Sequence, residues 1–358
     1  MVAHGALLDR VRRGVRLSDE EALLLLQSKD LITLGRLANE RRRRLLPGGR
    51  VTYIVDRNIN YTNVCVSGCR FCAFFRPPHS PEAYVLSTEE IVEKARETLR
   101  LGGTGVMLQG GLHPELDVTY FERLFRTLKR EVPGLDIHSL SPPEIVYMAR
   151  LSGIDVRVTL EKLQAAGLDS LPGGGAEILV DRVRREVAPG KATADEWIQV
   201  MRQAHGLGMS STATMMFGSV DTIEDRVEHL HRIRSLQDDT GGFRAFIPWT
   251  FQEKNTSLEG QGARATGVEY LMMIAVSRLY LDNVSNIQAS WVTQGLKVGQ
   301  VALHFGANDM GSTMIEENVV RSAGVTFTAG RADLEHAIHA AGFIPIQRRT
   351  DYSEVGKK

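Results

Sequence analysis

Three cysteines stand close together in the segment NVCVSGCRFC, residues 63–72, and the chain contains no others. Cys65, Cys69 and Cys72 have the spacing C-x3-C-x2-C, which places three thiol ligands in one short loop. A structural zinc site normally takes four protein ligands, and His79 is a candidate to complete a Cys3His set. A cubane iron–sulfur cluster fits three thiolates better, because it leaves one iron with an open coordination position.

The composition indicates a neutral globular protein with 43 basic and 43 acidic residues in 358. This balance gives no sign of a nucleic acid partner, and no apolar run reaches the roughly 18 residues of a membrane span. The first residues also lack the pattern of a signal peptide, so the sequence predicts a cytoplasmic protein. Thiols stay reduced in the cytoplasm, which favours metal or redox ligands over a disulfide framework of three cysteines.

Short apolar strands alternate with helical segments after residue 50, whereas residues 1–50 read as helices alone. Capping boxes predict helix starts at Ser87 and Thr193, and further helices are predicted at 119–131, 156–166, 222–236 and 268–281. The predicted strands are short apolar runs that end in glycine or polar residues: VTYIV at 51–55, GVMLQGG at 105–111, LDIHSL at 135–140, LDSLPGGG at 168–175, SSTATMMFG at 210–218, FRAFIPW at 243–249, NIQASW at 286–291 and HFGAND at 304–309.

About eight strands separated by helices predict an α/β fold with a parallel sheet, either a closed barrel or an open doubly wound sheet. The unusual residues follow strand ends, where barrel enzymes carry their active sites, and no G-x-G-x-x-G motif supports the open sheet. We therefore expect a (β/α)8 TIM-type barrel at residues 51–322. We expect two helical extensions to pack on the barrel. One is amino-terminal, at residues 1–50. The other is carboxy-terminal, at residues 323–358, with a helix at 333–341.

The string CVSGCRFC, with an aromatic residue before its last cysteine, resembles the signature of the radical S-adenosylmethionine (SAM) enzymes. The resemblance implies a 4Fe–4S cluster held by Cys65, Cys69 and Cys72, with SAM bound at the open iron. One electron from the cluster would cleave SAM to a 5′-deoxyadenosyl radical, and the protein would orient the reactants. It also implies a reducing partner such as flavodoxin or ferredoxin.

The same resemblance implies a set of cofactor-binding residues on the loops after the strands. Each has a plainer interpretation: the glycines as an ordinary turn, the charged residues as a solvated helix face, and the aromatic residue as packing. Arg184 is an alternative to Arg182 for the carboxylate of SAM. The predicted cofactor contacts are Phe71, Gln109, Gly110, Gly111, Ser141, Glu177 and Arg182.

Longer strings, among them RNINYTNVCVSGCRFCAFFRPP and NIQASWVTQGLKVGQVALHFGANDMGSTMIEENVV, resemble the dehypoxanthine futalosine cyclases of menaquinone biosynthesis. The similarity runs from about Asn58 to Arg348. It implies removal of the ribose C4′ hydrogen of dehypoxanthine futalosine and addition of the carbon radical to the benzoate ring. The alternatives are an aminofutalosine synthase, a relative of the deazaflavin-chromophore synthases, an electron-transfer ferredoxin and a zinc-stabilised structural barrel.

Such a cyclisation needs a proton acceptor, because the ring must lose a proton to become aromatic again. The sequence offers the carboxylates of Glu144, Asp309 and Glu316 as catalytic candidates. The last two belong to a dense polar segment, GANDMGSTMIEENVV, at residues 306–320. Weaker candidates near the cavity are His113, His138, Ser290 and Trp291, each of which has an equal or better interpretation as a structural residue.

Overall fold

The computed structural model describes residues 2–261 and 264–356, so the predicted outer limits of the two extensions, residues 1 and 358, lie outside the described residues. All strand pairs in its sheets are parallel. The strands are β1 (Arg50–Ile54), β2 (Asp56–Ile59), β3 (Gly105–Leu108), β4 (Asp136–Ile137), β5 (Ser170–Leu171), β6 (Ser210–Phe217), β7 (Phe243–Thr250), β8 (Asn286–Ile287), β9 (Asp309–Ser312) and β10 (Ile344–Gln347).

The strands close into a barrel because β1 and β2 form one chain segment, interrupted only at Val55. On one side β2 pairs with β3, which pairs with β4, and on the other side β1 pairs with β9. The strands β5 to β8 form a continuous sheet, and single bridges from His138 to Ser170 and from Gln288 to Asp309 join it to β4 and β9. Eight strand positions thus surround a central space, as predicted.

Helices form an outer layer around these strands, and seven of the fifteen described begin at a residue whose side chain caps the first turn. Both predicted capping boxes are present, with Ser87 before α4 and Thr193 before α9. The helices are α1 (Val2–Arg12), α2 (Asp19–Leu26), α3 (Leu31–Leu45), α4 (Thr88–Arg100), α5 (Val118–Glu131), α6 (Pro142–Ser152), α7 (Val156–Ala166), α8 (Asp181–Val187), α9 (Ala194–Gly206), α10 (Ile223–Thr240), α11 (Gly267–Tyr280), α12 (Trp291–Gln294), α13 (Leu296–Ala302), α14 (Val319–Ser322) and α15 (Arg331–Ala340).

Two elements differ from the sequence prediction. HFGAND is not a strand: Leu303–Phe305 form a 3-10 turn, Gly306 follows with φ +104°, and β9 begins only at Asp309. The positive φ of Gly306 explains this difference, because the chain turns at that residue before the strand can begin. The short strand β10 was missed, because IPIQ contains a proline and is only four residues long.

The segment after α15 closes the amino-terminal end of the barrel, opposite the loops that follow the strands. Its strand β10 runs parallel to β1. The side chain of Gln347 donates to the Gly102 carbonyl, just before β3, at 2.8 Å, and Arg349 binds Asp136, the first residue of β4, at 2.9 Å. The carboxy-terminal segment therefore forms a floor under the barrel, in addition to the helix that the sequence predicted there.

At the amino terminus, α3 packs along α11 on the outside of the barrel. Gly35 allows this approach, since a Cβ there would lie 2.5 Å from the ring of Phe305. In the described parts of the chain, no helix combines the length and the apolar character needed to cross a membrane.

Candidate active site

The three cysteines lie on the loop that follows β2, at the carboxyl end of the first barrel strand. Cys69 is buried, whereas Cys65 and Cys72 are half-buried. The sulfurs of Cys65 and Cys69 each lie 3.1 Å from the hydroxyl oxygen of Ser67, and the Leu112 backbone N–H donates to the sulfur of Cys65 at 3.3 Å. Hydrogen bonds to cluster sulfurs are a common means by which proteins tune a reduction potential.

Backbone contacts hold this loop against two neighbouring loops. The N–H of Val66 donates to the Leu112 carbonyl at 3.1 Å, and that of Arg70 donates to the Val187 carbonyl at 2.8 Å. Gly111 presses directly on the loop, because a Cβ there would lie 2.0 Å from the Val64 carbonyl oxygen. Main-chain contacts therefore hold the loop in addition to the hydrogen bonds of its sulfurs.

These thiols suit a cluster better than a single ion. Burial raises the pKa of Cys69 to about 11 and also raises that of Cys72, so the free groups stay protonated at neutral pH and metal coordination would deprotonate them. Within residues 2–261 and 264–356, no group of three His, Cys, Asp or Glu side chains is arranged to hold a single metal ion, and this includes the three cysteines. A cluster spreads its ligands over several irons, and three soft thiol donors in one loop fit that requirement.

A cavity of about 280 Å³ occupies the barrel interior below the cysteine loop. Its upper part is formed by the turn after β3 and the glycine-rich segment 173–175, and its floor by the carboxy-terminal segment. The lining combines aromatic and charged side chains, including Gln109, Glu177, Trp249, Trp291, Glu317 and Arg348. An apolar enclosure with a few polar groups is the usual form of a small-molecule site.

A larger and more open depression, of about 760 Å³, lies on the outer surface between α6, α7 and α9. Its lining includes the apolar side chains of Val146, Val156 and Val200. Because it lies on the helical layer away from the strand ends, we assign the active site to the barrel cavity.

Glu177 lies between the cavity and the cysteine loop. The ammonium of Lys191 donates to its carboxylate at 2.9 Å, and Arg184 lies 3.6 Å away. Burial alone would lower the pKa of Lys191, but the charges of Cys69 and Glu177 raise it above its usual value. The same ammonium lies 4.9 Å from the centre of the Phe71 ring, so Lys191 joins two predicted cofactor contacts.

The predicted glycine turn also lies at the cavity. Gln109 lines it, and its carbonyl accepts a hydrogen bond from the Asn60 side chain at 3.0 Å. A Cβ at Gly110 would lie 2.6 Å from the ring of Tyr61. Close packing therefore requires glycine at both position 110 and position 111. At this turn the main chain lies next to both the cavity and the cysteine loop.

Several predicted residues do not join this group. Arg182 is exposed and its guanidinium pairs with Asp225 on the outer helices. Ser141 and Glu144 instead form the capping box of α6, where the carboxylate accepts from the N–H of Ser141 at 2.7 Å. Glu144 also accepts from the Tyr61 hydroxyl at 2.8 Å and from the backbone N–H of Gly110 at 3.1 Å, so it contacts the predicted glycine turn as well as α6.

The other two carboxylates predicted to be catalytic also have structural partners. Asp309 is fully buried and pairs with Arg348 at 2.5 Å beneath the cavity. Glu316 points to the outside and pairs with Lys94 at 2.6 Å. Its neighbour Glu317 lines the cavity instead, because the loop after β9 directs alternate side chains to opposite sides.

The weaker candidates divide in the same way. His138, Ser290 and Trp291 line the cavity, and the indole N–H of Trp291 donates to the Ser312 carbonyl at 3.0 Å. His113 lies outside, next to Tyr61 and Tyr147. Burial lowers the pKa of His138 to about 3, so its ring is neutral.

Sequence reasoning missed three residues at this site. Lys191 follows a proline–glycine turn and has no sequence motif, and Arg348 depends on the unexpected position of β10. The sequence did carry a signal for Asp56, since it is an acid directly after the apolar run VTYIV of the first barrel strand. It lines the cavity wall.

Comparison with protein families matches two models along the chain. Residues 59–233 match the radical SAM superfamily, and residues 240–357 match the CofH/MqnC C-terminal region. The first match confirms the two predicted cofactors, a 4Fe–4S cluster and SAM.

Curated relatives cover nearly the whole chain. The cyclic dehypoxanthine futalosine synthase of Streptomyces coelicolor is 47% identical over 98% of this chain and 88% of its own length. The enzyme of that name in Halalkalibacterium halodurans is 44% identical over 97% and 93%. The 5-amino-6-(D-ribitylamino)uracil–L-tyrosine 4-hydroxyphenyl transferase of Methanopyrus kandleri is also 44% identical, over 93% and 92%.

Two solved structures share the fold. Methylornithine synthase superposes with a TM-score of 0.75 at 24% identity, over 95% of this chain and 97% of that one. The FeFe-hydrogenase maturase HydG from Carboxydothermus hydrogenoformans gives 0.78 at 17% identity, over 97% and 80%. These similarities confirm the barrel architecture. With the relatives at 44–47% identity over nearly their full length, they lead to one conclusion: the chain belongs to the radical SAM enzymes and, within them, to the CofH/MqnC family.

Proposed function

We propose that this enzyme converts dehypoxanthine futalosine to cyclic dehypoxanthine futalosine in menaquinone biosynthesis. The observation that carries the proposal is the 47% identity to the Streptomyces coelicolor synthase over 352 residues. The site is compatible with it, since Glu177 lines the barrel cavity and binds Lys191, whose ammonium lies 4.9 Å from the Phe71 ring of the cysteine loop.

In this proposal the cluster and SAM together supply a 5′-deoxyadenosyl radical that removes the ribose C4′ hydrogen of the substrate. The protein then has two tasks. Cys65, Cys69 and Cys72 hold the cluster at the mouth of the barrel, and the cavity holds ribose and benzoate ring in contact so that the new bond can form.

For the cofactor, we assign roles to the residues that lie between the cysteine loop and the cavity. The main chain of Gln109, Gly110 and Gly111 is placed to accept the amino group of SAM, and Glu177 to accept the ribose hydroxyls. Lys191 donates to Oε1 of Glu177 at 2.9 Å and would fix the orientation of this carboxylate. Phe71 shields the cluster side from water.

For the substrate ring, we propose the aromatic part of the cavity. Trp249 at the end of β7 and Trp291 at the start of α12 both line it, together with Ile247 and Met107. Trp291 is fixed by its hydrogen bond to the Ser312 carbonyl. Rigid aromatic walls favour an edge or offset contact with a benzoate ring, which restricts its orientation.

The proposal includes a cytoplasmic location and a one-electron donor such as flavodoxin or ferredoxin. The support is chemical: the cluster has to be reduced in each cycle, and buried thiols of this kind persist in a reducing compartment. The half-buried Cys65 and Cys72 lie at the loop surface, where a donor can approach within a short distance.

A second candidate is the hydroxyphenyl transfer named for the Methanopyrus kandleri relative. The observation that favours it is an identity of 44% over 93% of this chain, close to the value for the synthases. The two reactions consume different substrates, so a single assay separates them.

The test is anaerobic reconstitution of the cluster, followed by incubation with dithionite, SAM and either dehypoxanthine futalosine or L-tyrosine with 5-amino-6-(D-ribitylamino)uracil. The proposal expects 5′-deoxyadenosine and a product two hydrogens lighter than dehypoxanthine futalosine, detected by mass spectrometry. A product only from the tyrosine mixture would replace the proposal with the second candidate.

A further inference from the structure

Asp56 is an acidic residue in the wall of the barrel cavity, at the first position of β2. Protein surrounds it, yet its side chain keeps accessible surface, and that surface faces the cavity. The hydroxyl of Ser312 donates to Oδ1. In the described parts of the chain the structure records no donor for Oδ2 and no ion pair for this carboxylate, so Oδ2 is left for a ligand in the cavity.

The neighbouring carboxylates differ from Asp56 in their partners. Glu177 is held by Lys191 at 2.9 Å, and Asp309 by Arg348 at 2.5 Å. Glu317 accepts the N–H of Val320 at 2.8 Å, at the start of a helix. Asp56 differs from these three carboxylates in its contacts, since among the described residues neither a lysine or arginine nor a backbone N–H is bound to it. Burial raises the pKa of Glu317 as it does that of Asp56.

The charges around Asp56 act in opposite directions. Burial raises its pKa, the Ser312 hydrogen bond and the charge of Arg348 lower it, and the charge of Asp309 raises it, with a net increase. The other titratable groups of the same cavity are His138, from the end of β4, and Glu317 and Tyr352. His138 is a poor base because burial lowers its pKa to about 3.

We propose that Asp56 is the catalytic base of the cyclisation, a role that rests on the function proposed above. After the ribose carbon has bonded to the ring, the C–H bond at the attacked ring carbon breaks and its proton passes to Oδ2 of Asp56. The two electrons of that bond and the unpaired electron remain. Two of these three restore the aromatic system, and the third leaves to a one-electron acceptor of the iron–sulfur class.

Asp56→Asn tests this role because it keeps the shape and removes the base. With substrate carrying deuterium at C4′, we expect the variant still to form deuterated 5′-deoxyadenosine at a rate near that of the wild type. Formation of the cyclic product should fall at least about 100-fold, since general bases contribute ~10²–10⁴-fold. Asp239→Asn is the matched control, because that carboxylate is exposed on α10 and pairs with Arg202 at 2.9 Å, and its loss should leave both products within about twofold of the wild type.

The outcomes separate the two proposals. Cyclic product from Asp56→Asn at the wild-type rate would overturn the role of Asp56. Loss of deuterated 5′-deoxyadenosine together with the product would also overturn it, because Asp56 would then act in binding or in an earlier step. If the wild type itself forms no cyclic product under these conditions, the proposed function fails, and this is visible before any variant is compared.

Discussion

At the scale of single residues, main-chain hydrogen bonds hold the cysteine loop. The N–H of Cys65 donates to the Arg76 carbonyl at 3.0 Å, and that of Cys72 to the Cys69 carbonyl at 3.2 Å. Replacing Cys65, Cys69 or Cys72 singly by alanine keeps these bonds and removes one cluster ligand. We expect loss of iron–sulfur absorbance and of 5′-deoxyadenosine formation, with an unchanged circular dichroism spectrum. Turnover in any one variant would contradict the three-ligand site.

The second prediction at this scale compares two charged residues that the sequence could not rank. Glu177 is buried beside Lys191 at the cavity, whereas Arg182 is exposed and bound to Asp225. Glu177→Gln should weaken SAM binding at least about tenfold, the loss of roughly one charge-assisted hydrogen bond of ~1.5–3 kcal/mol. Arg182→Gln should leave it unchanged. Isothermal titration calorimetry of each reconstituted variant with SAM measures the dissociation constant. An equal change of this constant in the two variants would contradict these assignments.

At the scale of elements, β10 and the residues after it contribute a buried ion pair to the floor of the barrel. Burial alone would lower the pKa of Arg348, but the charge of Asp309 raises it above its usual value. Arg348→Ala would leave Asp309 buried and unpaired, so we expect the free energy of unfolding to fall by about 3–5 kcal/mol. Urea denaturation of the reconstituted protein provides the measurement.

Arg349 is the matched control for this element, since it is the next residue and also binds an aspartate, Asp136. Its side chain is 38% exposed, so Arg349→Ala should cost no more than about 1 kcal/mol. Equal losses for the two variants would show that the floor is held by β10 as a whole and not by the buried pair.

At the scale of the whole molecule, buried neutral histidines make stability depend on pH. Burial lowers the pKa of His205 to about 4 and that of His229 to about 3, against about 6.5 in an unfolded chain. Below about pH 6.5 the unfolded state therefore binds more protons, and the free energy of unfolding falls as the pH falls, by up to about 1.4 kcal/mol per pH unit for each histidine.

Urea denaturation between about pH 7.5 and 5 measures how the free energy of unfolding changes with pH. Most carboxylates titrate below this range, so they contribute little to the change. His205→Gln should make the slope shallower, whereas His79→Gln, at an exposed position, should leave it unchanged. A slope unaffected by His205→Gln would contradict this origin of the pH dependence.

The molecule also shows which features a sequence can predict. Helix caps at Ser87 and Thr193 and the alternation of strands with helices are local signals, and they led to the barrel. The cysteine spacing is local too, and it indicated the cluster before any fold was known.

Features that depend on contacts distant in sequence could not be read in this way. Whether Glu316 or Glu317 faces the cavity depends on the course of one loop, and Lys191 reaches Glu177 only through the folded barrel. For Glu144 the sequence left two interpretations open, a catalytic residue after a strand and a residue in the first turn of a helix. The structure shows it in the capping box of α6, a position that does not test the catalytic interpretation.

The most direct test of the central claim follows the hydrogen at C4′. Dehypoxanthine futalosine deuterated at that carbon is incubated anaerobically with the reconstituted enzyme, dithionite and SAM. We predict 5′-deoxyadenosine that carries one deuterium, in equal amount to a cyclic product that has lost it. Unlabelled 5′-deoxyadenosine with no cyclic product would contradict the account, because the radical would then form without acting on this substrate.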